Sequence, residues 1–126
     1  MHSYLILKAV HVFGVLLAFT GLAGIATHAA GGRPKREDPV HGLLAALHGV
    51  GVLLVALAGI WMLTRVMRAP SGPSPAWATA KLALWVLLAG SVALPYRRPQ
   101  LARRVLAAGL PALAAAAAVI AVLKPF

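Results

Sequence analysis

Apolar residues in this chain come in four long blocks, at about 4–26, 41–63, 77–94 and 105–123. Each is close to the ~20 residues that a helix needs to cross ~30 Å of hydrocarbon. Backbone groups inside a bilayer must find their hydrogen-bond partners within the segment. Runs of this length with no period-two alternation therefore predict helices rather than strands. The breaks between them carry turn chemistry: Gly31-Gly32-Arg33-Pro34-Lys35-Arg36-Glu37-Asp38-Pro39, then Arg65 to Ala76 with Pro70-Ser71-Gly72-Pro73-Ser74-Pro75, then Pro95-Tyr96-Arg97-Arg98-Pro99. Short connections make neighbouring helices antiparallel. The expected fold is all-α, an integral membrane up-down four-helix bundle forming one domain over 1–126. The first block is longer than the ~7–15 residues of a signal-peptide core, so it reads as a retained span.

Within the blocks, faces can be assigned. His11, Gly14, Ala18, Gly21, Ile25 and His28 recur in steps of three and four, which places them on one seam of the first helix. Small residues on that seam allow a second helix to approach closely. In the second helix His41 and His48 share a face, continued by Gly51 or Val52, Val55 and Met62. Gly42, Ala46, Gly49, Ala56 and Gly59 form a small-residue face beside it. Antiparallel packing then brings His28 and His41 to one end, with His48 roughly 10 Å deeper. The alanines of the fourth block read as a packing surface that is equally suited to another subunit.

Composition sharpens the class. The chain is 61% hydrophobic, and only 11% of its 126 residues are charged. That is too few charges to coat a water-soluble domain, where about 25% is usual. The net charge of +10 is divided into short clusters between the apolar runs. This is the pattern of membrane topology signals and not of a nucleic-acid-binding face. Seven basic residues (Arg33, Lys35, Arg36, Arg97, Arg98, Arg103 and Arg104) fall on the side of the first and third connections. Lys8, Arg65, Arg68 and Lys124 fall on the other. The positive-inside bias places the first and third connections in the cytoplasm and both termini outside.

Several chemistries are excluded. There is no cysteine, hence no disulfide or thiolate. No Asp or Glu lies within any apolar block, which argues against a carboxylate-driven pump. No Ser/His/Asp set and no phosphate-binding glycine loop is present. The groups left inside the blocks are histidines and lysines, and titratable groups at such depth tend to face a bundle interior or a cavity. His11, His48, Lys81 and Lys8 are candidate cofactor-binding residues, with haem as the candidate ligand. His28 and His41, with His48, are candidate ligands for copper or another metal. The structural alternative is that these histidines make interhelical hydrogen bonds. For Lys8 and Lys81 it is that they snorkel to the headgroups. If Lys81 instead points inward, it offers a cation to a propionate, a quinone oxygen or another anionic group.

Lys8-Ala9-Val10-His11 opens the first span and Trp77-Ala78-Thr79-Ala80-Lys81 opens the third. Together they resemble the Lys-x-x-His and Trp-x-x-x-Lys motifs of a superfamily of small helical membrane proteins. It includes the HemJ-type protoporphyrinogen oxidases, the CopD copper-resistance domain and the SirB-like proteins. The resemblance implies a haem-binding or redox role for His11 and Lys81, and a bacterial inner membrane. Gly24-Ile25-Ala26-Thr27-His28 stands where the HemJ pattern has Pro-Arg and Tyr-His, so no specific reaction is carried over. Two functional classes follow: a membrane protein binding haem or another redox ligand, and a non-catalytic subunit or assembly partner whose Gly/Ala faces pack against other membrane proteins or a second copy.

Overall fold

The computed structural model describes residues 2–68, 75–104 and 108–123. Every regular element among them is helical. In chain order they are α1 (His2–Ala30), a 3-10 turn (Lys35–Glu37), α2 (His41–Met67), α3 (Pro75–Gly90), a second 3-10 turn (Ser91–Ala93), α4 (Leu94–Arg97), α5 (Pro99–Arg104) and α6 (Leu110–Leu123). Three stretches, His2–Ala30, His41–Arg65 and Ala76–Arg97, are long and apolar enough to cross a membrane. The apolar part of α6, Leu110–Val119, is shorter. Of the expected fourth span, residues 105–107 lie outside the described residues. So do 69–74 of the second connection and Lys124.

The two threonines of α1 bond within the helix: Thr20 donates to the Leu16 carbonyl and Thr27 to that of Ala23, both at 2.7 Å. The helix ends where the double glycine lets it end. Gly32 adopts φ +79°, and the Gly31, Gly32 and Arg33 N–H groups fold back onto the carbonyls of Thr27, Ala29 and His28. The chain turns through Pro34 and re-enters a helix after Asp38. There the Asp38 carboxylate accepts the Val40 N–H at 3.0 Å, the capping role expected of an aspartate ahead of a helix.

The third long helix runs past the boundary that Pro95 predicts. Proline lacks an N–H but is tolerated in a first helical turn. The 3-10 turn at Ser91–Ala93 tightens the chain, and Pro95 falls in the first turn of α4. The helical path therefore reaches Arg97 instead of stopping at about residue 94. Arg98, with φ −141° and ψ 81°, breaks it.

α1 and α2 pack antiparallel, with His11 opposite Val55 and His48 opposite Ala18. The approach is close because glycines stand at the crossing. A Cβ on Gly14 would meet the Gly51 carbonyl and the Leu54 Cβ at 2.9 Å, and one on Gly21 would strike the backbone of Leu44 and His48. The buried seam Gly14, Ala18, Gly21 and Ile25 is the one the sequence spacing predicts. α3 lies along α2, where Trp85 Nε1 donates to the Val52 carbonyl at 3.0 Å. Ala18 and Leu22 of α1, Leu88 of α3 and Leu110 of α6 meet in one core, with Phe19, Val52 and Val92 packed around them.

Candidate functional site

The polar side chains within the helices gather at three levels. At the first, near the α1 N-terminus, the His11 ring donates through Nδ1 to the Val55 carbonyl at 3.1 Å. A carbonyl can only accept, so the direction of this bond is fixed. Gly59 leaves the space the ring occupies, since a Cβ there would lie 3.2 Å from the imidazole. Lys81 lies in the first turns of α3, packed against the Trp77 ring of the same helix. Its ammonium lies 4.0 Å from the centroid of the Trp77 ring, one helical turn away, a cation–π contact. Trp77 is buried, at 5% exposure, so this cation sits against the protein and not at an exposed indole. Lys8 does not join them. It is exposed on another face of α1, in a shallow groove with Leu5, Ala9, Val12, Phe13 and Leu16.

The second level is His48, 3% exposed. Its Nδ1 donates to the Ala18 carbonyl across the helix pair at 2.9 Å. In the neutral ring this leaves the lone pair on Nε2, and Nε2 is buried with no hydrogen-bond partner. A buried polar atom without a partner costs free energy, of order 1–3 kcal/mol.

The third level lies where the first and third connections meet. His28 Nδ1 donates to Asp38 Oδ2 at 2.6 Å, and the Tyr96 hydroxyl donates to the same oxygen at 3.2 Å. The Asp38 side chain is fully covered, while His28 keeps 31% of its side chain exposed. Burial alone would push the Asp38 carboxyl up. Hydrogen bonds from His28, the Val40 N–H and Tyr96 outweigh it and hold the group below the usual carboxylate range. His41 packs edge-on against Tyr96, with ring centroids 5.3 Å apart, and its Nδ1 is buried and unpartnered.

The expected pairing of His28 with His41 is thus mediated by residues that sequence reasoning did not assign to a site, Asp38 and Tyr96. Asp38-Pro39 ahead of an apolar run carried a capping signal, but nothing local pointed to Tyr96, 58 residues away. Among the described residues, no three His, Asp or Glu side chains converge as a metal-binding set. His28, His41 and His48 are not gathered into one such set.

The same geometry bears on haem. Two axial imidazoles on one porphyrin must oppose each other across it. Here His48 faces Ala18, seven residues beyond His11 along α1, an offset of ~10 Å. Each ring is also turned into the backbone of the facing helix. The pair does not fit as two ligands of one haem. His48 differs from His11 in one respect: one nitrogen is oriented by a backbone carbonyl and the other is buried without a partner, and a ligating histidine has its tautomer and basicity set by such a second hydrogen bond.

Comparison of the chain with protein-family models, with curated proteins and with solved structures returned no match.

Proposed function

We propose that the protein is a four-span membrane protein, with its first and third connections cytoplasmic, that binds a redox ligand through the single imidazole of His48. The observation carrying this reading is the buried, unpartnered Nε2 of His48 opposite an Nδ1 bonded to Ala18. Haem is the leading candidate, because the Lys8–His11 and Trp77–Lys81 motifs resemble those of haem-handling membrane proteins. His48 would supply one axial nitrogen, and the chemistry of the iron would be the cofactor's own. Lys81, braced on Trp77, offers positive charge to an anionic substituent of such a ligand. Membrane insertion is supported by the three long apolar helices and by the outward position of their bulky side chains, including Leu16, Leu53, Leu57, Ile60, Leu82 and Leu87. The cytoplasmic assignment follows the basic residues at one end.

The test is optical. Protein purified in mild detergent from haem-replete cells should carry a Soret band, and His48→Ala should abolish it while His11→Ala keeps it. A colourless preparation that stays unchanged on adding haem would remove the haem reading.

A second reading, a non-catalytic subunit, is favoured by α2. Gly42, Ala46 and Gly49 form an exposed small-residue face that, among the described residues, no helix covers closely. It predicts a specific membrane protein, or a second copy, retained through mild solubilisation.

A further inference from the structure

The end of the molecule bearing the first and third connections carries seven basic residues, six of them arginine. Both carboxylates of the chain lie in the same region, yet neither neutralises an arginine. Asp38 is buried and committed to His28, Tyr96 and the Val40 N–H. Among the described residues, no arginine at this end forms an ion pair with a carboxylate. The positive field is therefore open to an outside anion.

The arginines are also placed by the fold. α5 lays Ala102 against the rest of the chain at 1% exposure and half-buries Leu101, which leaves Gln100, Arg103 and Arg104 on its outer side. Arg103 is tied to the α1 terminus through Nε and the Ala30 carbonyl at 3.3 Å. Arg98, at the break between α4 and α5, and Arg104, at the end of α5, line one groove with Pro99, Gln100 and Leu101. This groove begins one residue beyond Arg97, where the long apolar stretch Ala76–Arg97 ends. On the membrane reading that level is the headgroup layer.

We infer that the Arg98–Arg104 groove binds the phosphate of an anionic phospholipid headgroup. Guanidinium forks match phosphate oxygens in pairs, which lysine ammonium groups do not. Leu101 and Pro99 give the groove an apolar wall suited to the lipid's glycerol and upper acyl chain. Basic pockets at the cytoplasmic ends of membrane helices are suited to such headgroups, with each nearby cation contributing. The inference rests on the membrane reading of the proposed function.

The experiment uses the full chain in zwitterionic detergent, titrated with phosphatidylglycerol or with phosphatidylcholine and read by native mass spectrometry. The wild type should retain phosphatidylglycerol and not phosphatidylcholine. R98Q/R104Q should lose that binding about tenfold or more, while R65Q/R68Q, which removes the same charge at the opposite end, should keep it. Equal loss in both double variants, or no preference for phosphatidylglycerol in the wild type, would overturn the inference. Displacement of the lipid by inorganic phosphate at comparable concentration would overturn it too, by making the groove a site for free phosphate. Alkaline extraction of cell membranes separates the two readings. Protein released by it contradicts membrane insertion, whereas protein that stays in the pellet without lipid preference contradicts the groove alone. Unchanged helicity by circular dichroism qualifies each variant for comparison.

Discussion

At the scale of single residues, the polar groups of this chain divide into those with closed hydrogen-bond accounts and those without. His11 and Trp85 fix helix pairs by donating to backbone carbonyls, and Thr20 and Thr27 satisfy themselves within α1. Among the described residues, His48 and His41 each keep one buried nitrogen without a partner, Nε2 and Nδ1 respectively, and in His48 the other ring nitrogen is bonded across the helix pair. Asp38 is the opposite case, with both oxygens engaged. Its folded-state pKa is lowered relative to the unfolded chain, so its contribution to stability is complete above the unfolded value of about 4 and is lost as the pH falls through the folded value. Thermal melts in detergent should therefore show wild-type stability declining below about pH 4. D38N should be less stable at pH 7 and should lack this carboxylate's share of the acid decline. A variant with the wild-type melting temperature at pH 7 would remove Asp38 as the tie between the two connections. The seam of α1 was readable from spacing because burial follows helical period. The Asp38–Tyr96 contact was not, because it depends on where the third helix ends, and the 3-10 turn before Pro95 moved that end by a few residues.

At the scale of elements, the α1–α2 contact organises the molecule, and its glycines are not equivalent. Gly21 and Gly51 face backbone of the opposite helix, so a side chain there must push the helices apart. Gly51→Val should destabilise the fold by about 1–3 kcal/mol, measured by thermal or denaturant unfolding in detergent. Gly49 meets nothing within 4 Å. Gly49→Ala should leave the fold intact and gain about 0.5–1 kcal/mol from helix propensity. A greater loss at Gly49 than at Gly51 would mean that the exposed face of α2, not the α1 seam, bears the principal packing. It would also point to the assembly reading, with a partner seated on Gly42, Ala46 and Gly49. Sequence spacing distinguished these two faces of α2 but not which of them α1 would take. The choice follows from where His48 and Gly51 meet Gly21, Ala18 and Gly14 across the helix pair.

At the scale of the whole molecule, three long apolar helices alternate in direction and gather the basic connections at one end. The described part of α6, at 14 residues, is ~21 Å long, less than the ~30 Å hydrocarbon layer. It joins the core through Leu110. The all-helical class and the three long apolar helices were legible because composition and block length determine them. The depth of α6 was not, since an alanine-rich run reads alike as a span or as a packed surface helix. The chain has no cysteine, so single cysteines can report sidedness directly. Cysteines at Lys35 and Gln100 should be labelled by an impermeant thiol reagent only after the cytoplasmic side is opened, and those at Ser3 and Arg68 in intact cells. The reverse pattern would invert the topology.

The most direct test of the central claim, a ligand held by His48, is chemical rescue. His48→Gly removes the imidazole but leaves its space, and free imidazole can then occupy it. The account predicts that His48→Gly shows no wild-type Soret band when haem alone is added and gains it when imidazole is added with the haem, with His11→Gly unaffected. A His48→Gly protein that keeps the wild-type spectrum without imidazole would contradict it.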